Sequence, residues 1–180
     1  MLQLRVSIYL LEPRGEGLSI SELIKPPLYS ARVIVPHPTR RGEVLLLKRS
    51  SASTTNPDMR EGPGGKVRVD KNFRLIETPR QAAIKETREE CGLLIDVVTS
   101  FIRVTEDTRI ILDGQYQGRE FRPSVALARF IGGSLDLSHS KQHIEGDYFD
   151  IDEALARDDL TIPTRVGIMR FAPSIRALNL

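Results

Sequence analysis

Apolar residues fall in short blocks along this chain, and the blocks differ in period. Ser30 to Pro36 and Glu43 to Lys48 carry Val, Ile and Leu almost without interruption and read as strands. Pro36 to Gly42 lies between them, which suggests a hairpin. Gln3 to Leu11 reads as an earlier strand, closed by Glu12-Pro13-Arg14 and followed by a loop with Gly15, Gly17, Pro26 and Pro27 as breakers. Ser50 to Gly65 has the Ser, Thr, Asn, Pro and Gly content of a loop, with a short strand expected at Lys66 to Val69. Further on, Leu93 to Val104 and Arg109 to Leu112 look extended, and Asp113-Gly114 is a turn signal. Phe121 to Ile131 reads as a strand interrupted near Arg122-Pro123, and Tyr148 to Ile151 as a short strand entering a helix at about Asp152. A last helix is expected from Arg165, weakened by Gly167 and Pro173.

One helix is marked at both ends. Thr78 suits the N-cap, Pro79 the first helical position, and Gln81 completes a Thr-x-x-Gln capping box. Gly92 supplies the stop. Strands dominate with helices interspersed, so the fold class is α/β or α+β with layered helices and sheet.

The chain has 180 residues, enough for a core without covalent staples, and reads as a single domain over 1–180 with 1–28 as an N-terminal strand and loop extension. Its 40% hydrophobic and 28% charged content is that of a soluble globular protein. The apolar run from Val6 to Leu11 is too short to span a bilayer, and no small-residue cleavage site follows it, so a cytoplasmic protein with no membrane partner is expected. A net charge of +2 and the absence of a clustered Lys/Arg tract give no clear nucleic-acid path. The single cysteine, Cys91, excludes an internal disulfide and a cysteine-built zinc site, and is most simply a small core residue. The segment to Leu28 would serve either a homodimer interface or an extension of the sheet.

The marked helix carries the candidate chemistry. Glu86, Glu89 and Glu90 stand at i, i+3 and i+4, on one face within roughly a 100° arc. Ala83, Ile84, Thr87 and Cys91 occupy the neighbouring arc and are expected to face the core. Like charges at this spacing repel, and a hard divalent cation such as Mg²⁺ would relieve the repulsion. Spacing alone leaves a second reading, an acidic face paired with Lys85 and Arg88.

The surrounding residues narrow the choice. Glu77, then seven residues, then Lys85-Glu86-Thr87-Arg88-Glu89-Glu90-Cys91-Gly92-Leu93 resembles the Nudix box, and Pro63-Gly64-Gly65-Lys66-Val67 resembles the segment that opens it. Val44 to Ser50 resembles the strand before the box, and His143 to Leu155 the family's late strand and helix start. The resemblance covers Ala31 to Leu155 and implies an α/β/α sandwich with a mixed sheet. Three departures stand out. Eleven residues (66 to 76) separate Gly65 from Glu77 where the family pattern has five, Lys85 replaces Arg, and Thr87 takes an apolar position.

The resemblance implies a Mg²⁺-dependent hydrolase, with Mn²⁺ as a substitute, that cleaves a diphosphate linkage in a small-molecule nucleotide. A nucleoside triphosphate and ADP-ribose are both open as substrates. Gly65, Glu86, Glu89 and Glu90 would hold metal, with Glu86 and Glu89 catalytic. Glu86 is the expected general base, with Glu120 or Glu145 from later segments as alternatives. Lys48, Arg49, Arg60, Gly64 and Glu145 are candidates for substrate contact, and His143 for a base or leaving group. A non-catalytic module of the same fold, binding a nucleotide or a protein, is the alternative function.

Overall fold

The computed structural model describes residues 25–70, 72, 74–112 and 116–177. The strand expected at Gln3 to Leu11 and the turn at Asp113-Gly114 lie outside them. The described chain runs β1 (Leu28–Ile34), β2 (Glu43–Arg49), β3 (Arg60–Glu61), β4 (Gly64–Lys66), α1 (Pro79–Cys91), β5 (Leu93–Val97), β6 (Ile102–Arg103), β7 (Arg109–Ile110), β8 (Glu120–Gly133), β9 (His143–Asp150), α2 (Ile151–Ala156) and α3 (Ile162–Ala177).

The strands form two sheets. One has the order β4-β1-β8, with β5, β6 and β7 paired in turn along the far edge of β8. It is mixed, because β1 and β8 run parallel while the other pairs are antiparallel. The other sheet is antiparallel, in the order β3-β2-β9.

This corrects the hairpin expected for β1 and β2. The two strands meet only near their turn, where the Leu45 N–H donates to the Val35 carbonyl at 2.9 Å and Pro36 bridges Val44. Beyond it they enter different sheets, because β4 and β8 take the two edges of β1 and β3 and β9 take those of β2. The loop expected from Ser50 to Gly65 contains β3 and most of β4, which are too short to show a period. The strand expected at Lys66 to Val69 begins at Gly64 and ends at Lys66. Nor does Pro123 interrupt β8. It sits opposite Ser30, and its carbonyl accepts from Val104 N–H at 2.9 Å.

The unbroken apolar runs Val33 to Val35, Val44 to Leu47 and Val125 to Ala128 have a physical cause, since helices cover both faces. Val33, Val35, Leu45, Leu47, Ala126 and Ala128 pack on the side of α1 with Ala82, Ala83 and Cys91. Their neighbours Ile34, Val44, Leu46, Val125 and Leu127 pack on the other side with Ile151 of α2 and Ile168, Phe171 and Ile175 of α3. At about 25 cal/mol per Å² of apolar surface, these two clusters supply the main favourable term of folding. Helix α3 runs through both Gly167 and Pro173. Gly167 lets the helix lie close to the sheet: a Cβ there would come within 2.7 Å of Val125 Cγ2.

Helix α1 starts and stops where its sequence signals stand. Thr78 Oγ1 accepts from Gln81 N–H at 3.2 Å, and Gln81 Oε1 accepts from Thr78 N–H at 2.8 Å. Gly92 closes the helix in the left-handed region, with φ 74°. Thr87 is buried without cost to its hydroxyl, which donates to the Ala83 carbonyl at 2.7 Å. The residues inserted after Gly65 fold back on themselves. Val69 bridges Leu75, and Asp70 Oδ1 accepts from the backbone N–H of Asn72 and Arg74 at 2.8 Å each.

Candidate active site

The carboxylate face of α1 lies beside the turn Gly62-Pro63-Gly64-Gly65, and the turn depends on missing side chains. Gly64 has φ 135°, and a Cβ there would stand 2.2 Å from the Ala31 carbonyl oxygen. No other residue fits that backbone. A Cβ on Gly65 would come 2.6 Å from the Glu86 carboxyl carbon, so Glu86 lies directly against the Gly65 backbone. Glu90 accepts from Gly64 N–H at 3.0 Å. Turn and helix are thereby joined at the two carboxylates.

The box's first Glu and its Lys tie the inserted segment to the same helix. Glu77 is buried and accepts from the Arg68 N–H at 2.8 Å and from Arg68 Nε at 3.0 Å. Lys85 Nζ stands 3.4 Å from Glu77 and 2.9 Å from Glu86, so this lysine spans both carboxylates as a point charge.

Behind the turn lies a buried ionic cluster that the sequence did not disclose. The Glu61 carboxylate is wholly buried, 2.8 Å from Arg32, 2.7 Å from Arg49 and 3.1 Å from His143 Nε2. Burial pushes its pKa up, but Arg32, the His143 hydrogen bond and Arg49 together outweigh that and leave it at about 2. Arg32 also donates to the carbonyls of Gly62 at 3.0 Å and Gly64 at 3.3 Å, so it braces the turn from below. The only local sign of Glu61 is a carboxylate placed directly before Gly-Pro-Gly-Gly. Arg32 is a lone charge within an apolar strand.

Glu90 has the opposite electrostatics. Burial raises its pKa more than His143, Arg32 and the Gly64 N–H lower it, and it is pushed up to about 7. Glu89 is exposed and Glu86 half-buried. The three carboxylates do not converge on one point: Glu86 turns to Lys85, Glu90 to Gly64 N–H, and among the described residues no group of three His, Cys, Asp or Glu stands at metal-holding distance. The donor set still suits a hard divalent cation, being carboxylate oxygens on one helical face against a backbone that Gly65 leaves uncovered.

These carboxylates line a groove of about 910 Å³, whose opposite wall is the segment His139, Ser140, Lys141 and Gln142. Lys141 and His139 offer hydrogen-bonding groups on that wall, and no sequence motif marks either.

Several candidates for substrate contact lie elsewhere. Neighbouring residues of a strand point to opposite faces. Lys48 therefore lies with Leu46 on the α2–α3 side, opposite Glu145 in β9. Glu145 is held there by Arg60 at 2.9 Å and stands 4.0 Å from Lys48. Arg60 also stacks over Phe149 and pairs with Asp159 at 3.4 Å. Arg49 does point to the α1 side, but it is buried there. It donates to Glu61, to the Thr55 carbonyl at 2.7 Å and to Gln142 at 2.8 Å. Glu120 begins β8, paired with Arg122 at 2.5 Å and Arg103 at 3.1 Å, and is not part of the groove wall. Arg49, Arg60 and Glu145 are thus engaged within the fold. Cys91 is buried as expected, and burial pushes its thiol up to about 12.

A family model, the NUDIX domain, matches residues 28–167. The chain belongs to the NUDIX family. It is therefore a hydrolase acting on acid anhydrides in phosphorus-containing compounds, in a family that generally uses divalent metal ions. The fold of this NUDIX chain resembles that of the MutT protein from Methanosarcina mazei Go1, at 23% identity over 83% of this chain and 96% of that one, with a TM-score of 0.60. It resembles the E. coli ORF135 protein at 25% identity over 90% and 100% of the two chains, with a TM-score of 0.58. An ADP-ribose pyrophosphatase from Streptococcus suis shares the fold at 16% identity, covering 85% of this chain and 95% of that one, with a TM-score of 0.56. No curated protein matches the chain. Among the described residues, no helix is long and apolar enough to cross a membrane.

Proposed function

We propose that this NUDIX chain is a Mg²⁺-dependent pyrophosphohydrolase that cleaves the diphosphate linkage of a nucleoside diphosphate joined to another group. A further phosphate or the ribose of ADP-ribose would be such a group. The observation that carries this reading is the placement of Glu86, Glu89 and Glu90 on one wall of the groove beside the Gly64-Gly65 turn. A groove of about 910 Å³ is large enough for a nucleotide.

Glu86, Glu89 and Glu90, with the Gly65 carbonyl, would hold the Mg²⁺, and Mn²⁺ would substitute. A cation held by these residues would supply charge neutralisation at the diphosphate oxygens. Glu86 lies over the Gly65 backbone and faces the groove, where it takes the proton of the attacking water as general base. Lys85 keeps the Glu86 carboxylate oriented from 2.9 Å. Lys141 and His139 stand across the groove, where a diphosphate needs donors, and they replace Arg49 and Arg60 as the groups to test for phosphate contact.

The test is a panel of nucleoside triphosphates, ADP-ribose and other nucleoside diphosphate derivatives, assayed with Mg²⁺ and with excess chelator. Mg²⁺-dependent release of a nucleoside monophosphate, phosphate or pyrophosphate from at least one of them is expected. Binding of these compounds with no turnover of any would instead make the chain a non-catalytic module.

A further inference from the structure

We propose that His143 is a positioning residue for the metal site, holding Glu90 in place by anchoring it to the buried Glu61–Arg32–Arg49 cluster. His143 reaches the α1 side of its sheet through an irregularity. The pairing of β2 with β9 shifts between Lys48 and Arg49, so that Arg49 stands opposite His143 and Ile144 is passed over. The side chain is completely buried, in the space between the sheet and the C-terminal half of α1.

The ring lies between two carboxylates. Nε2 stands 3.1 Å from Glu61 Oε1, within hydrogen-bond distance, and Nδ1 stands 3.7 Å from Glu90 Oε1, a neighbour beyond that distance. Ser140, on the groove's opposite wall, meets the imidazole at the same Nδ1. Its Oγ accepts from the His143 N–H at 3.0 Å and lies 3.4 Å from Nδ1. Glu61 is clasped by two guanidinium groups, and one of them also braces the Gly62-Gly64 turn. The chain of contacts therefore ends on a buried ionic cluster.

One Glu90 oxygen is fixed by the Gly64 N–H and the other lies beside the His143 ring, so the carboxylate is confined between turn and imidazole; without His143 only the Gly64 contact remains. Groups that orient a metal ligand from behind typically change metal affinity or activity by about 10- to 100-fold when removed. An imidazole suits the position because it spans two carboxylates with a nitrogen toward each. An apolar residue of similar size would fill the space and orient neither.

The inference rests on the metal-dependent reading above, and the experiment separates the two. Mn²⁺ affinity, read by the loss of free-ion electron paramagnetic resonance signal, is measured for wild type, His143→Leu, His143→Gln and Ser140→Ala, together with kcat, KM and thermal midpoint. His143→Leu is expected to bind Mn²⁺ about 10- to 100-fold more weakly and to lose kcat with little change in KM. His143→Gln should recover part of both, and Ser140→Ala should show a smaller loss in the same direction. A purely structural histidine would lower the thermal midpoint and leave Mn²⁺ affinity and kcat per folded molecule unchanged, which overturns the proposal. If His143→Leu does not fold, unchanged Mn²⁺ affinity in both His143→Gln and Ser140→Ala overturns it equally. Wild type with no Mg²⁺-dependent turnover removes the parent reading, whereas an active wild type beside a folded, unaltered His143→Leu removes only this one.

Discussion

Glu86→Gln is expected to lower kcat by about 10²- to 10⁴-fold with little change in KM, the range for losing a general base. Glutamine keeps the length and helix propensity of the side chain, so α1 should form as before. What it loses is the charge and proton affinity of a group lying against the Gly65 backbone at the groove. Glu145→Gln is the matched control. Glu145 is the rival base by its place in the sequence, but it lies on the α2–α3 side of the sheet, held by Arg60. Its replacement should leave kcat within a few-fold of wild type. Steady-state kinetics on both variants decide the matter. Loss of turnover in Glu145→Gln alone, with metal binding intact, would reverse the assignment.

Replacing Glu61 should have the largest effect on stability. Glu61→Ala leaves Arg32 and Arg49 facing each other in the interior without their shared carboxylate. Removing one partner of such a buried pair costs about 3–5 kcal/mol. The same carboxylate ties stability to pH. Its pKa falls from 4.5 in the unfolded chain to about 2 in the fold, so the native state favours the ionised form. That contribution is complete above pH 4.5 and is lost as pH falls toward 2. At 1.36 kcal/mol per pKa unit it amounts to about 3 kcal/mol. Urea unfolding at pH 7 and pH 3 should therefore show the gap between wild type and Glu61→Ala narrowing at the lower pH. A gap of equal size at both would mean that Glu61 is not ionised in the fold.

What was legible in the sequence was local. Thr78, Pro79, Gln81 and Gly92 set the ends of α1 through contacts spanning three or four residues, and the structure places those ends where the signals stand. The apolar runs of β1 and β2 told of strands, because burial on both faces leaves no polar alternation to detect. Partnership was not legible. Lys48, Arg49 and Arg60 stand near the box in sequence, yet strand alternation sends Lys48 to one side of the sheet and Arg49 to the other. The Arg49 guanidinium is then used on Glu61. Arg32, Glu61 and His143 meet across 29 and 82 positions, at a register set by an irregularity between β2 and β9. No pattern within one segment encodes that meeting. The departures from the box proved structural in kind: Lys85 bridges the same helix to Glu77, Thr87 satisfies its own hydroxyl, and the inserted residues close into a small turn-back.

A divalent-cation site on the acidic face of α1 is the proposal on which the other roles depend. Its most direct test is Mn²⁺ titration of wild type and of the double variant Glu89→Gln, Glu90→Gln at pH 8 and pH 6, with Mg²⁺ as competitor. Because burial holds the Glu90 carboxyl at about 7, a cation must displace its proton, so wild-type affinity should be weaker at pH 6 than at pH 8. Mg²⁺-competed binding to wild type that weakens in this way and is lost in the double variant is the expected result. Equal Mn²⁺ affinity in wild type and double variant would contradict it.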